Sequence, residues 1–180
     1  MEKTSTKNLM KISLLAAILS LVAPFSIPIG PVPLSLTNFV LYLGIFAVGW
    51  KKALVSYLIY LIIGFIGLPV FSGFQGGPGK LFGPTGGYLF GFIWICGVSG
   101  YFIDKTYKNK GKTILAMVLG TVICYLFGTY WLKVQTNMGW LAAFMAGVLP
   151  FIPGDFLKIV AASFIGVKIR DALIRNGLFD

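Results

Sequence analysis

The chain has 180 residues, of which 57% are hydrophobic and only 11% charged, with a formal net charge of +10 and no histidine. Soluble domains carry about 25% charged residues, so this composition excludes a water-soluble globular enzyme and implies an integral membrane protein. The basic excess needs no nucleic acid, because anionic lipid headgroups on one face of a bilayer attract it equally well.

A helical crossing takes roughly 20 mostly apolar residues. In chain order the first such segment runs from Leu9 to Phe25. Its basic start followed by "ISLLAAILSLVA" imitates a secretory signal, but cleavage after Ala23 would put Pro24 next and leave an odd number of crossings. The segment is therefore read as a span. Ser13, Ala16, Ala17 and Ser20 fall at i, i+3, i+4 and i+7 along it, a stripe of small residues that permits close helix approach, either within the bundle or to a partner. The second and third segments run from Leu34 to Trp50 and from Ala53 to Leu68.

The connection that follows contains "GFQGGPGKLFGPTGG" at 73–87. A phosphate loop would need a glycine five residues before the Gly-Lys pair and a Ser or Thr after it, but Phe74 and Leu81 stand there. The glycines serve either tight turns and close helix packing or the approach of backbone N–H groups to a ligand.

The fourth and fifth segments, Pro84 to Ile103 and Thr113 to Leu132, contain Cys96 and Cys124. Neither has a nearby histidine or acid, so both are read as small apolar packing residues, with no disulfide or metal implied. The last segment, Trp140 to Val167, is too long for one simple span and is broken at Pro150, Pro153 and Gly154. It is read as a short apolar piece, Trp140 to Leu149, followed by a helix starting near Pro153.

Twelve of the fifteen basic residues lie at the N-terminus, the second and fourth connections and the C-terminus; the alternate connections hold only Lys80, Lys133 and Lys158. The positive-inside rule then puts both termini in the cytoplasm, in agreement with an even number of crossings. The expectation is one all-α membrane domain over 1–180, with six transmembrane helices and the glycine-rich loop outside.

Of the five acids, Glu2, Asp104, Asp171 and Asp180 fall among cytoplasmic lysines and arginines, where surface pairing accounts for them. Asp155 alone lies on the other side, in "PFIPGDFLK", with Lys158 one helical turn further on the same face. Ionisable groups at membrane depth cost about 2.5–3.5 kcal/mol on insertion scales and so mark sites. The other role open to Asp155 is capping its helix, with Lys158 reaching to the interface. With the loop residues Phe71, Phe74 and Gln75, the pair suggests an outer pocket for a small neutral or zwitterionic solute with an apolar body.

"IPIGPVP" at 27–33, "GLPVF" at 67–71, "GPTGGYLFGF" at 83–92 and "PGDFLK" at 153–158 occur in the order and spacing of one family. Together they resemble the biotin-binding substrate-specificity components (S components) of energy-coupling-factor (ECF) transporters, the BioY family. At "LSLTNF" the chain differs, with Ser35 and Thr37 where the family often has Thr and Gln. The resemblance implies a six-helix protein in a prokaryotic cell membrane that captures biotin outside the cell with high affinity. It would deliver biotin to a separate ECF module made of a transmembrane coupling subunit and two ATP-binding subunits. Biotin would be the transported substrate, with no cofactor and no catalytic residues.

Biotin presents a ureido ring with two N–H donors and one acceptor, an apolar bicycle and a carboxylate. On this resemblance Asp155 accepts from a ureido N–H, and Lys158 donates to the ureido carbonyl or to the carboxylate. Phe71 and Tyr88 wall the bicycle, and Asn38, Gln75 and the Gly76–Gly77 backbone are further polar contacts. Tyr88 has a second possible role as an interfacial belt aromatic. The stripe of Ser13, Ala16, Ala17 and Ser20 is the expected docking face for the coupling subunit.

Two other functions compete. A stand-alone secondary transporter would place coupling carboxylates or histidines near the midplane, often in repeated halves, and neither is found. A membrane-embedded hydrolase would need a nucleophile with a base or a metal cluster, which a histidine-free chain with one external acid does not supply.

Overall fold

Backbone groups at membrane depth find no water, so apolar runs satisfy their own hydrogen bonds as helices. A computed structural model describes residues 6–179; Glu2, Lys3 and Asp180 of the charge argument lie outside the described residues. Helix α1 covers Thr6–Val22, α2 Thr37–Val48, α3 Trp50–Phe65, α4 Pro78–Leu81, α5 Gly86–Trp94 and α6 Gly100–Thr106. A π-helical stretch at Ile95–Ser99 joins α5 to α6, after which α7 spans Lys110–Thr136, α8 Trp140–Gly147 and α9 Ile152–Arg175.

Each segment read as a span from the sequence falls mostly on helix, although the second, from Leu34, begins on a strand. By length and composition two helical stretches among the described residues can cross a membrane unaided, Gly86–Thr106 and Lys110–Thr136. A third arises if α8 and α9, bent by 45° at their break, are one broken span. Pro153 sits in the first turn of α9, where its missing N–H costs nothing.

The expectation of a purely helical protein needs one correction. Strands β1 (Ser26–Ile29) and β2 (Val32–Ser35) form an antiparallel hairpin between α1 and α2. Four prolines in "IPIGPVP" and its flanks hide it from a strand reading, because proline cannot donate to a ladder. The two-residue turn, with Gly30 at φ +66°, makes Ile29 and Val32 the closing pair. Pro28 therefore faces Pro33 at a non-hydrogen-bonded position, where neither N–H is missed.

Small residues set the helix spacing. A methyl on Gly87 would lie 2.2 Å from Trp131 of α7, and one on Gly91 2.7 Å from the Cys124 sulfur, so α5 and α7 pack nearly backbone to backbone. Cys96 and Cys124 are buried free thiols, as packing residues should be.

At the end of the bundle that carries the α2–α3 junction, Arg170 of α9 is 2% exposed. It donates to the carbonyls of Ile45 (2.8 Å) and Phe46 (3.0 Å) and to the carboxylate of Asp104. Those two carbonyls belong to the last turn of α2, where helical donors run out; Ile45 also accepts from the Gly49 N–H at 2.9 Å. Asp104 also accepts from the Trp50 N–H at the start of α3 (3.0 Å). The sequence reading assigned Asp104 to surface pairing; it is half-buried and completes a knot around the buried Arg170 that ties α2, α3, α6 and α9. Arginine suits this place because its planar fork reaches several acceptors at once.

Candidate solute-binding site

At the opposite end of α2 and α9, a cavity of about 70 Å³ lies among β2, α2, α3, α5, α7 and α9. Asp155 enters it from the first turn of α9 and is 8% exposed. Its Oδ1 accepts from Lys158 Nζ at 2.9 Å, and its Oδ2 accepts from the Tyr125 hydroxyl of α7 at 2.6 Å. The helix is capped at Phe151 without any side-chain bond, so the carboxylate faces the cavity groups and not the helix end.

Lys158 does not reach out to the interface. Its ammonium also donates to the Ser35 carbonyl at 2.6 Å and to Asn38 Oδ1 at 3.3 Å, which uses its three protons on three acceptors. The β2 strand supplies Ser35 because it ends two residues before α2 begins. Asn38, in the first turn of α2, is buried at 5% exposure. One acid and one base from α9 and one amide from α2 thus meet on the cavity wall.

Apolar surface completes the wall. Tyr88 is 7% exposed, held between Gly128 and Gly147, with its hydroxyl 3.3 Å from Thr129. It is a buried cavity residue and not a belt aromatic. Leu89 and Phe92 of α5 and Phe151 before α9 line the same space.

The remaining sequence-derived candidates lie elsewhere. Phe71 is fully buried, seated on Gly64 and edge-on to Tyr60 with ring centroids 5.5 Å apart, so it backs a cavity residue without lining the cavity. Gln75 and Gly76 border an adjoining open cleft with Lys80 and Gly83. Gly77, at φ +87°, donates its N–H to the Gly64 carbonyl at 2.7 Å. Of the glycine-rich loop, Thr85 lines the main cavity and also the adjoining cleft. On α1 the small-residue stripe divides: Ser13 and Ala17 are exposed, whereas Ala16 is 3% exposed and Ser20 is half-buried, its hydroxyl bonded to the Ala16 carbonyl.

Tyr125, Thr121 and Tyr42 were missed from the sequence. Tyr42 on α2 lies 2.6 Å from Thr121, hydroxyl to hydroxyl, beside the cavity wall. No local motif distinguishes these residues from the other tyrosines and threonines of an apolar helix. A larger cleft of about 670 Å³ lies behind Tyr125 between α7, α8 and α9, but Trp140, Leu141, Phe144 and Leu126 make it almost wholly apolar, a surface suited to lipid chains. The polar groups needed to orient a solute converge on the smaller cavity.

The BioY family model matches residues 1–175. The chain belongs to the BioY family. "Biotin transporter BioY2" of Lactococcus lactis subsp. cremoris is 35% identical over 96% of this chain and 95% of its own length. "Probable biotin transporter BioY" of Pyrococcus horikoshii is 37% identical over 91% of this chain and 96% of its own. A BioY protein of Thermotoga maritima, also a biotin transporter, is 36% identical over the same shares. Among solved structures, the S-component for biotin from an ECF-type ABC transporter superposes with a TM-score of 0.85 at 28% identity, covering 95% of this chain and 94% of that one. These BioY relatives are transporters and not enzymes.

Proposed function

We propose that this protein captures biotin at the outer face of a prokaryotic cell membrane as the S component of an ECF transporter. The chain forms a single membrane domain over 1–180 that crosses six times with both termini in the cytoplasm, as its lysine distribution requires. The observation that carries the reading is the convergence of Asp155, Lys158 and Asn38 on one cavity in a BioY family member.

Asp155 accepts from a ureido N–H, Lys158 gives up its long 3.3 Å bond to Asn38 to donate to a biotin oxygen, Asn38 adds an amide contact, and Tyr88 walls the bicycle. Each contact to a charged group is worth about 1.5–3 kcal/mol, enough together for high affinity when the apolar bicycle is buried as well. Phe71 contributes by fixing Tyr60 from behind. Gln75 and Gly76 border the approach to the cavity, which Thr85 shares with their cleft, and Gly77 holds the turn behind them through its bond to Gly64.

The cavity of about 70 Å³ is smaller than the roughly 300–1,000 Å³ of small-molecule sites, so its walls must yield to admit biotin. The part of the glycine-rich segment ahead of α5, residues 73–85, moves as the lid, and biotin protects it from protease when it closes, while Gly86 and Gly87 stay packed in α5.

ATP-driven translocation needs a partner, because no nucleotide motif is present in the sequence. The coupling subunit of a module with two ATP-binding subunits docks on the face of α1 that carries Ser13 and Ala17, with Ala16 and Ser20 shaping the helix packing behind it. Biotin uptake into vesicles tests this directly. Uptake that requires the reconstituted module and ATP supports the reading; uptake at full rate by the chain alone would make it a secondary transporter.

A further inference from the structure

Tyr60 of α3 is fully buried, and its hydroxyl has no hydrogen-bond partner among the described residues. The other tyrosines nearby are paired: Tyr57 donates to the Leu89 carbonyl at 2.7 Å, Tyr42 meets Thr121, and the half-buried Tyr125 meets Asp155. An unpaired buried hydroxyl is costly, and native proteins keep few of them without a reason. Among the described residues Asn8 Oδ1 is the other buried side-chain atom without a partner, and it does not line the cavity. Tyr60 does.

Its ring is held in place. Tyr57 packs at a centroid distance of 5.5 Å, and Phe71 meets it edge-on at the same distance from the other part of the fold. Phe71 is itself locked on Gly64, where a methyl would lie 2.1 Å from the ring. The hydroxyl is therefore fixed at the α3 wall, while the Asp155, Lys158 and Asn38 cluster belongs to α9 and α2.

We infer that the Tyr60 hydroxyl is a second polar contact for the bound solute, made to a group other than the one Asp155 holds. A solute satisfying both must carry separate polar groups joined by an apolar body. Biotin does so, with its ureido ring and its carboxylate. The phenol can donate to an oxygen or accept from an N–H, so it serves either end. This contact rests on reading the cavity as the biotin site.

Titration of the full-length wild type and of Tyr60→Phe with biotin, in one detergent, tests it. The substitution keeps the ring and its packing. Biotin affinity falls about five- to tenfold, as the loss of one hydrogen bond predicts. The thermal midpoint without biotin stays level or rises, because a buried hydroxyl lacking a protein partner has been removed. Tyr57→Phe behaves in the opposite way: it lowers the midpoint through the lost Leu89 bond and leaves affinity unchanged. A Tyr60→Phe protein that binds biotin within twofold of wild type, or that loses thermal stability without biotin, overturns the inference. A wild type that fails to bind biotin overturns the reading of the cavity itself, so the two failures are distinct.

Discussion

Tyr125 on α7 donates a 2.6 Å hydrogen bond to Asp155 on α9, and Lys158 occupies the other carboxylate oxygen at 2.9 Å. The carboxylate therefore stands pre-oriented between two fixed donors, with its remaining lone pairs free for a ligand N–H. Asp155→Asn keeps the shape and one acceptor oxygen but removes the charge that holds Lys158. Calorimetry should show biotin bound at least about tenfold more weakly, equivalent to 1.4 kcal/mol or more, in a protein that remains folded. Unchanged affinity would reduce Asp155 to a structural residue.

Tyr125→Phe removes one orienting bond and leaves the carboxylate charged. A hydrogen bond to a charged group contributes about 1.5–3 kcal/mol, shared here between folding and ligand orientation. Both the thermal midpoint and biotin affinity should fall, the affinity by less than in Asp155→Asn. A drop in midpoint with no change in affinity would confine Tyr125 to holding α7 against α9.

Asp155 and Lys158 were legible in the sequence because charge is rare in an apolar chain and a helical turn of spacing fixes a common face. Tyr125 and Tyr60 were not, because a tyrosine in an apolar helix looks alike whether its hydroxyl meets a carboxylate, a carbonyl or nothing. The helices were legible from their apolar runs, whereas the hairpin was masked by prolines that pair off against each other. Most of the glycine-rich loop was overread: Gly76 and Gly77 meet the backbone of neighbouring turns, since a methyl on Gly76 would lie 2.2 Å from the Leu68 carbonyl oxygen and Gly77 donates to Gly64. Glycine composition alone cannot separate backbone approach to a ligand from backbone approach to backbone.

At the other end of the bundle, Asp104→Ala leaves the Arg170 guanidinium buried without its counter-ion. Breaking a buried pair in this way costs about 3–5 kcal/mol, so unfolding in denaturant should shift strongly. Biotin affinity of the folded fraction should stay within twofold of wild type, because Asp104 and Arg170 lie remote from the cavity lining. Equal stability of the variant would remove the knot from the account of the fold.

On α1, Ala17 is exposed and Ala16 is buried at 3%. Ala17→Trp should leave biotin binding intact and block uptake in the assembled transporter. Ala16→Trp should instead lower thermal stability, since overpacking a tight helix contact costs about 1–3 kcal/mol. Normal uptake by Ala17→Trp would move the docking face elsewhere.

Calorimetric titration of the detergent-purified protein with biotin, with ATP as the control solute, is the most direct test of the central claim. Tight one-to-one binding of biotin with no response to ATP is the predicted result. No binding of biotin by a folded protein would contradict it, and the cavity around Asp155 and Lys158 would then have to serve a different solute.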